Sequence, residues 1–547
     1  MNLLHDPWMP VRGADGQRHW ITPCRLAEPQ WRAFDADRPD FNGALAQFAI
    51  GLLQTTTTVG DSIEWRGLFN APPAAATLRQ WFEPVAAAFE LDGDGPRFMQ
   101  DFGLGTKGVA VNEISSLLID APGENTIKNN KDHFVKRAQL TELCPACAAV
   151  ALFTLQLNAP LGGAGHRTGL RGGGPLTTLV LAPAGNHLWH DLWMNVRDRP
   201  ALMAQSGDTA HPSVQRTFPW LGPITDLQAE EGELAQAQVH PAHLYWAMPR
   251  RIRLETGGGA GTCDACDRPS DSLVCRYATK NHGLNYKGTW THPLSPYFEK
   301  EGWLPVHPQP DGLGYKHWLG WVLGVAGEKK TVRVAAVVER ALMLPSRQSG
   351  GALRLWAFGY DMDNMKARCW YEATLPLYDL ADCDRDTREQ LQAEVARWLA
   401  GAELAGMFLR GAVKDAWFSA DARGDFAHID AAFWSATEPA FYRHLQALIA
   451  AARGGTEHPA LPVREAWHTT LRNTALRLFD TSLVGAGTIE RQNPRRVALA
   501  HKQLRNSLFG PKLRSALGLP VDDPKPKPAR KPAHLPTSPK GPAKEAQ

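Results

Sequence analysis

Four of the eight cysteines are spaced as metal ligands. They form two Cys-x-x-Cys pairs, Cys144 with Cys147 and Cys263 with Cys266. A two-residue gap lets both thiolates of a pair reach one ion, and four thiolates fill the tetrahedral shell of a structural zinc. More than a hundred residues separate the pairs, so the fold must bring them together. The pairs predict a structural Zn²⁺ site with no open position for activated water; two unrelated pairs, or a redox pair, are the alternatives.

A second unusual stretch is GGAGHRTGLRGGG, residues 162–174, in which seven of thirteen positions are glycine. Glycine adopts backbone conformations that other residues avoid, but it loses more conformational entropy on folding than they do. The glycine spacing fits neither the P-loop nor the dinucleotide-binding fingerprint, which disfavours a nucleotide cofactor. A loop almost without side chains instead permits the main chain to approach a ligand closely.

No familiar catalytic motif accompanies these two features. The sequence has no HExxH helix, no GxSxG elbow and no Walker lysine. Asp361 and Asp363 stand on alternate positions, and two carboxylates without further oxygen ligands do not make a divalent-ion site. His187 and His190 could lie near each other, and ordinary packing is the expectation for them. The sequence thus offers no positive case for an enzyme.

Charge and hydropathy limit the classes of partner. Lys and Arg number 59 against 56 Asp and Glu, but residues 520–547 hold six against three, which leaves the rest of the chain balanced. Nucleic-acid contacts must therefore come from local patches. The start of the chain has no signal-peptide pattern, and no apolar run is long enough for a bilayer. We therefore expect a soluble, cytoplasmic protein without a membrane partner.

The elements that must position these residues fall into two regions and a tail. Residues 1–378 mix β-like runs, such as 175–182 and 331–338, with glycine- and proline-rich connections, which indicates a mixed α/β (α+β) domain that contains the zinc site. Residues 379–517 repeat apolar residues at steps of three and four, and this pattern predicts a C-terminal four-helix bundle. Residues 518–547, rich in proline and lysine, are expected to form a disordered basic tail.

Single residues of the helical region predict where some of its helices begin and end and what its last helix contacts. Thr437 before Pro439 looks like an N-cap with proline in the first turn of a helix, and Gly510 looks like a helix stop. The last helix also carries a row of basic residues, for which a solvated face and a nucleic-acid or partner contact are equally good explanations. These residues are Arg495, Arg496, Lys502 and Arg505.

Several stretches of the chain together resemble one family, the large subunit (CasA) of the type I-E CRISPR interference complex, Cascade. They lie in matching order across most of residues 1–515: LLHDPWMPVR, TKGVAVNEISSLL, CPAC, APLGGAGHRTGLRGGGPLTT, CDAC, THPLSP and GYDMDNMKARCW. The resemblance implies a non-catalytic subunit that recognises the protospacer-adjacent motif (PAM) of double-stranded DNA through the minor groove. Such a subunit opens the duplex to start an R-loop and helps to recruit a helicase-nuclease. A guide CRISPR RNA and other Cascade subunits are the further implied partners.

The resemblance places a PAM-contacting loop within the glycine-rich stretch. By position the loop maps onto Gly162, Gly163, Ala164 and Gly165. Arg167 and Arg171 are then phosphate contacts or loop anchors. Ala164 stands where a further glycine would be expected, and we hypothesise that its methyl group narrows the set of base pairs that the loop tolerates.

The resemblance also places a lysine finger, a wedge and a loop near the guide RNA. The lysine finger falls on Lys280, with Lys287 in reserve. The wedge, which enters under the first base pair, falls on Asp363, Asn364 and Met365. The guide-RNA-proximal loop holds Lys131, Phe134, Lys136 and Arg137, of which Phe134 is the expected stacking residue.

Each of these features also has a purely structural interpretation. The glycine loop can be a crowded crossing of backbones, Lys280 a solvated cation, Met365 a core side chain beside Trp370, and the loop around Phe134 a solvated one. For the whole chain, a zinc-stapled nuclease and a scaffold that only holds protein partners are the rival functions. The ordered resemblance favours DNA recognition over both.

Overall fold

The computed structural model describes most of the chain. The described residues are 1–57, 59–122, 127–128, 140–163, 165–205, 214–227, 233–310, 312–327, 331–344, 351–363, 366–418, 424, 426–455, 460–485 and 493–521. Most helices before residue 345 are short, with Pro39–Thr56 and Pro145–Asn158 as the longer ones, and four long helices follow residue 384.

The α-helices are α1 (Pro39–Thr56), α2 (Ser62–Asn70), α3 (Ala75–Phe82), α4 (Pro145–Asn158), α5 (Leu188–Trp193), α6 (Arg199–Met203), α7 (Val214–Thr217), α8 (Trp318–Val322), α9 (Ala336–Leu342), α10 (Arg385–Trp417), α11 (Ala427–Arg453), α12 (Ala460–Leu478), α13 (Pro494–Phe509) and α14 (Pro511–Ala516). Shorter 3₁₀ segments lie at Pro23–Arg25, Glu83–Phe89, Ile114–Leu117, Pro219–Leu221, Ile224–Asp226, Gln236–Gln238, Pro241–Tyr245 and Tyr315–His317, and a π-helical turn lies at Phe479–Leu483. None of the helices in the described ranges is long and apolar enough to cross a lipid bilayer.

The strands form several small sheets. They are β1 (Met9–Gly13), β2 (Arg18–Ile21), β3 (Trp31–Phe34), β4 (Ala110–Glu113), β5 (Thr177–Leu181), β6 (Glu233–Leu234), β7 (Arg251–Glu255), β8 (Gly261–Thr262), β9 (Pro269–Ser270), β10 (Arg276–Lys280), β11 (Asn285–Tyr286), β12 (Tyr297–Glu299), β13 (Trp303–Pro305), β14 (Val332–Arg333), β15 (Leu353–Asp363) and β16 (Lys366–Leu377). The strand orders are β2-β1-β3, β4-β10-β7, β11-β6, β13-β12-β14, β16-β15-β5 and β8-β9. All pairs are antiparallel except β6 with β11.

The N-terminal core is built around α1, which is buried on almost every side. From Asp40 to Gln54 every residue except Asn42 is buried. The ring of Phe48 meets the rings of Trp8, Phe89 and Trp246 edge-on, at centroid distances of 5.1, 5.6 and 5.7 Å. Edge-to-face contacts of this kind add to the stabilisation from burial alone. Helix α1 is therefore a rigid support for the loops that pack on it.

The longest strands, β15 and β16, form a hairpin that extends past the sheet to which it belongs. The two strands pair along their whole length, as far as Asp363 opposite Lys366. Strand β5 pairs only with Arg354–Phe358 of β15. Beyond that point the hydroxyl of Tyr360 donates a buried 2.6 Å hydrogen bond to Asp40 of α1. The base of the hairpin is thus fixed to the core while its far end projects.

The long helices α10 to α13 pack against one another after residue 384, as the apolar periodicity predicts. The stripe predicted for α10 is buried along its whole length. Its members are Leu391, Val395, Trp398, Ala402, Ala405 and Leu409. Helix α13 ends at Phe509, with Gly510 as its C-cap, as predicted. A chain of mixed helix and sheet with a C-terminal helical region is confirmed, whereas the boundary at residue 378 stays a prediction.

Two local predictions are wrong. Thr437 is not an N-cap, because α11 runs from Ala427 to Arg453 with Pro439 in its interior. Interior proline costs about 3 kcal/mol, and the buried residues on both sides of it hold the helix together. The run 331–338 is not one strand either. Only Val332 and Arg333 pair, and the rest turns into α9, because a short apolar run does not distinguish a strand from a buried helix.

The helical region is joined to the preceding sheets by specific polar contacts. The hydroxyls of Tyr315 and Thr437 lie 2.8 Å apart in the buried junction. The amide of Gln392 in α10 donates to the carbonyl of Leu323 at 2.8 Å. These bonds connect one side of α10 and α11 to the segment between β13 and β14.

Candidate metal centre and nucleic-acid interface

The four predicted cysteine ligands come together at one point. Their Sγ atoms all lie within 4.8 Å of one another, and those of Cys144 and Cys266 approach to 3.9 Å. All four are free thiols. Zn–S bonds of about 2.3 Å place the sulfurs of a tetrahedral site about 3.8 Å apart. The donor set and the size of the cluster therefore suit a tetrahedral metal ion.

Local structure explains how each pair is held. Cys144 is the N-cap of α4, Pro145 opens the helix, and the amide of Cys147 donates to the Sγ of Cys144 at 3.5 Å. Proline is favoured at the first helical position because its missing N–H has no partner there in any case. Cys263 and Cys266 lie in the turn between β8 and β9. The apolar run after CPAC forms helix α4.

Asp264 fastens the second pair to the segment before the first. Its Oδ2 accepts hydrogen bonds from the amide and hydroxyl of Thr141, at 2.6 and 3.0 Å, and from the amide of Glu142 at 2.9 Å. These bonds lower the pKa of the Asp264 carboxyl, the amide of Thr141 most of all. Main-chain pairing of Leu143 with Val274 adds a second connection. The two pairs are thus placed next to each other by contacts that need no metal.

The four thiols influence one another strongly. Hydrogen bonds from the Cys144 thiol lower the pKa of Cys263 and Cys266, whereas the hydrogen bond with Cys144 raises the pKa of Cys147. Four thiolates in contact repel one another unless a cation neutralises them. A divalent ion would supply that charge and replace the shared protons.

The glycine loop lies directly on the end of β10. The amide of His282 donates a 2.8 Å hydrogen bond to the carbonyl of Gly165. Gly165 has φ of +82°, and a Cβ there would lie 2.7 Å from the Cβ of Asn281. Only glycine fits this close approach without a shift of the backbone. The contact places the loop beside Lys280, the last residue of β10.

The other end of the loop packs on the long hairpin. Gly174 has φ of +62°, and a Cβ there would lie 2.8 Å from the Cγ of Met362 and 2.8 Å from the Cβ of Tyr360. Met362 is one residue before the end of β15. The described part of the glycine-rich stretch therefore contacts both the residues that follow β10 and the end of β15.

Arg171 anchors the loop in the core. Its guanidinium donates to Gln47 at 2.5 Å, to Thr177 at 3.0 Å and to Ser295 at 2.9 Å. The side chain is only 3% exposed, and burial lowers its pKa to about 10. Of the two roles considered for Arg171, the contacts support that of a loop anchor, because a side chain enclosed in this way does not reach a phosphate.

Arg167 and Arg250 lie nearer the surface of the same region. Arg250 donates to the carbonyl of Pro160 at the start of the loop, and burial lowers its pKa to about 10. Gln156 of α4 holds the backbone of Arg250 by accepting from its amide and donating to its carbonyl, both at 3.0 Å. The buried Nε of Arg167 has no hydrogen-bond partner among the described residues. The loop is thus bordered by two cations.

The two lysine-finger candidates differ in their contacts. Lys287 forms an ion pair with Glu233. The half-buried side chain of Lys280 passes Gly108, where a Cβ would lie 4.0 Å from its Cε. Within the described ranges the ammonium group of Lys280 makes no ion pair. The contacts therefore favour Lys280, which is free to meet an anion.

The far end of the hairpin carries the predicted wedge. Asp361 is buried and accepts two hydrogen bonds from Arg368, at 2.9 and 2.7 Å, so it is not available to a metal ion. Asp363 is exposed and lies 3.9 Å from the same guanidinium. Asn364 and Met365, the other wedge residues, lie outside the described residues. So do Ala164 and the guide-RNA-proximal residues Lys131, Phe134, Lys136 and Arg137.

The structure adds residues that sequence reasoning missed. Asn281 and His282 support the glycine loop, and His282 itself has φ of +64°. His307 donates from Nδ1 to the carbonyl of Gly173 at 3.0 Å. Arg250, immediately before β7, joins the loop as well. No spacing or motif connects these positions with residues 162–174, so nothing in the sequence marks them as part of the site.

A family model described as CRISPR-associated protein Cse1 matches residues 2–478 of the chain. The chain belongs to the CRISPR-associated Cse1 family. The resemblance seen in the sequence is thereby confirmed at the level of the family.

Solved structures of Cse1 proteins share the fold. CasA from Thermus thermophilus is 16% identical, with a TM-score of 0.64 over 93% of this chain and 99% of that one. Cse1 from Thermobifida fusca is 16% identical, with a TM-score of 0.64 over 95% and 98%. A chain of a CRISPR RNA-guided surveillance complex is 16% identical, with a TM-score of 0.64 over 93% and 99%. At this identity the likeness concerns the fold alone.

Proposed function

We propose that this Cse1 protein is the non-catalytic large subunit of a type I-E CRISPR RNA-guided surveillance complex, in which it recognises the PAM of double-stranded DNA. The observation that carries the proposal is the position of the glycine loop. Gly165 contacts Asn281 and His282, which directly follow Lys280, and Gly174 contacts the hairpin that leads to residues 364 and 365. The guide CRISPR RNA and the other Cascade subunits are the partners, and a helicase-nuclease is recruited in trans.

The loop reads the PAM from the minor groove. Gly163 is exposed, has φ of +78° and has no atom within 4 Å of the position of a Cβ. A minor groove about 6 Å wide admits a bare main chain more readily than a helix, and its base edges separate mainly A·T from G·C. Gly162, Gly163, Ala164 and Gly165 approach the base edges. Lys280 supplies the positive charge beside them, with Arg167 at the phosphates.

The hairpin opens the duplex once the PAM is held. Asp363, Asn364 and Met365 enter beneath the first base pair, and unstacking that step costs a few kcal/mol. The contacts of the glycine loop and Lys280 offset this cost. Target sequence is then read by base pairing with the guide RNA, as in other RNA-guided systems. Phe134, with Lys131, Lys136 and Arg137 around it, stacks near the end of the guide.

The metal is a structural Zn²⁺. Cys144, Cys147, Cys263 and Cys266 would hold it, and when bound it would offset part of the negative charge of the four thiolates and link α4 to the β8–β9 turn. Four thiolates leave no coordination site for water or substrate. Among the described residues this is the only cluster of three or more metal-ligating groups. That supports a non-catalytic role over a zinc-stapled nuclease.

A binding experiment with the assembled complex tests the proposal. Gel-shift titration compares a duplex that carries the preferred PAM, identified from a randomised PAM library, with a duplex of scrambled PAM. Lys280→Ala should weaken binding of the PAM duplex at least about tenfold and leave binding of the scrambled duplex unchanged. The control is Lys300→Ala, because Lys300 is an exposed lysine in the β12–β13 turn. This variant should bind both duplexes as the unaltered complex does. Equal binding of both duplexes by the unaltered complex would indicate a scaffold. Metal-dependent cleavage by the purified chain would indicate a nuclease.

A further inference from the structure

The last two helices of the helical region carry basic residues but no acidic residue of their own. Residues 493–521, which include α13 and α14, contain six Lys or Arg and no Asp or Glu. Helix α10 of the same region, by contrast, contains five basic and five acidic residues. A solvated helix face normally mixes the two signs, since pairs at i,i+4 then stabilise it and like charges destabilise it. The composition of α13 and α14 is therefore not that of an ordinary solvated face.

The cations at the centre of this face have no carboxylate partner. We name Arg472 of α12 with Lys502, Arg505 and Phe509 of α13 the cationic face. Within the described residues, Arg472 donates only to the side-chain amide oxygen of its neighbour Asn473, at 3.3 Å, and Lys502 and Arg505 make no ion pair. Other cations of the region are satisfied, as Arg514 is by Glu465 at 2.7 Å. The cationic face thus keeps its charge available.

An exposed aromatic ring lies among these cations. Phe509 is 46% exposed at the end of α13. The guanidinium carbons of Arg472 and Arg505 lie 4.5 and 5.7 Å from the centroid of its ring. The main chain next to the ring is held from behind, because Nε2 of the buried His468 donates to the carbonyl of Leu508 at 2.9 Å. The exposed ring of Phe509 and the guanidinium groups of Arg472 and Arg505 therefore lie side by side.

We propose that the cationic face binds single-stranded nucleic acid. Phosphates of a strand meet Arg472, Lys502 and Arg505, and an unpaired base stacks on Phe509 or on the guanidinium planes beside it. Binding of this type is tolerant of sequence, because every base has a π-face, and it depends strongly on salt. A duplex keeps its base faces covered, and an acidic peptide has no use for the ring. The site is separate from the glycine loop, and the inference does not depend on PAM recognition.

Fluorescence anisotropy with the full chain tests the inference. The probes are labelled dT20, labelled rU20, a duplex of equal length without a PAM, and labelled poly-Glu of equal charge. Arg472→Gln/Arg505→Gln should lower the slope of log K against log salt for dT20 by about 1.4. Phe509→Leu, which changes no charge, should weaken dT20 binding at least about fivefold. A difference between dT20 and rU20 will identify the preferred strand.

The control removes two charges from exposed positions outside the cationic face. Arg385→Gln/Lys300→Gln should bind dT20 as the unaltered chain does, and the basic residues after position 521 are common to all variants. Circular dichroism and the melting temperature will verify that each variant folds. Unchanged dT20 binding by Arg472→Gln/Arg505→Gln and by Phe509→Leu would overturn the proposal, as would no binding of dT20 by the unaltered chain. If poly-Glu binds as tightly as dT20 and Phe509→Leu binds dT20 as well as the unaltered chain, the proposal is rejected in favour of an acidic protein partner.

Discussion

The amide of His282 and the carbonyl of Gly165 are joined by a 2.8 Å hydrogen bond that connects two segments more than a hundred residues apart in the chain. This bond fixes the exposed part of the glycine loop relative to Lys280, which lies two residues before His282. A change in either partner should therefore move the loop and the lysine together. The effect of such a change on PAM-duplex binding can be measured separately from its effect on the melting temperature.

Substitution of Gly165 should disable the loop by steric means. A Cβ there lies 2.7 Å from the Cβ of Asn281, and φ is +82°. Gly165→Ala should weaken PAM-duplex binding by the assembled complex at least about tenfold. Gly185→Ala is the matched control, because Gly185 also has a positive φ, +96°, but has no atom within 4 Å of a Cβ. If both variants bind equally well, the close approach at Gly165 has no part in recognition.

The wedge should separate duplex opening from duplex binding. Asn364→Ala/Met365→Ala should leave PAM-duplex affinity within about threefold but suppress strand opening, because the unstacking side chains are removed while the loop and Lys280 remain. Opening is measured by permanganate reactivity of thymines next to the PAM. Glu372→Ala, in the same hairpin, serves as the control. Normal opening by the double variant would contradict the wedge role.

Loss of one cysteine ligand should release the metal. Cys266→Ser should reduce bound zinc, measured by mass spectrometry of the purified chain, from one per chain to below about one tenth. The melting temperature should fall, since metal binding contributes directly to folding. Cys275→Ser changes a cysteine outside the cluster and should retain the metal. A full complement of zinc in Cys266→Ser would show that the four thiols do not form the site.

Asp191 in α5 should make the protein less stable as the pH rises. Burial raises the pKa of its carboxyl from 3.8 to about 6, although its Oδ1 accepts from the amide of Ala182 at 2.8 Å. The folded state therefore binds this proton more tightly than the unfolded state, and stability present at pH 4 is lost as the pH rises through 6. Asp191→Asn should be more stable than the unaltered chain at pH 7, by about 2 kcal/mol, and no more stable at pH 4.

The measurement for Asp191 is the midpoint of thermal unfolding between pH 4 and pH 7.5. The exposed residue Asp94 provides the control, since Asp94→Asn should shift stability by less than about 0.5 kcal/mol at any pH. A constant difference between Asp191→Asn and the unaltered chain over this range would contradict the assignment. So would a difference that grows towards low pH.

Local patterns in the sequence predict those features that depend on neighbours in the chain. The apolar steps through Leu391 and Trp398 mark α10, and Gly510 marks the end of α13. The meeting of the four cysteines is predictable for a different reason, since thiols at Cys-x-x-Cys spacing share one chemistry. These predictions require no knowledge of the long-range fold.

Features that depend on distant contacts are not predictable in this way. Arg171 looks like a phosphate ligand until Gln47 and Ser295 are placed around it, and nothing in its own segment marks those partners. Pro439 normally marks a helix start, but tertiary packing of α11 outweighs its local preference. The contact of Gly165 with Asn281 is of the same kind. The family resemblance, and not residue spacing, assigns the glycine loop and Lys280 to one predicted DNA-binding site.

The long hairpin is fixed near its base and extends freely only at its far end. β5 supports it as far as Phe358, the bond of Tyr360 to Asp40 holds the next part, and only Met362 and Asp363 of β15 extend past the buried Asp361, by about 7 Å. Inserting two residues in each strand beyond Asp363 would lengthen that end by about 7 Å more while each side chain kept its face. Reach is therefore a length that evolution or design can adjust in discrete increments, without disturbing the base or the glycine loop that lies against it.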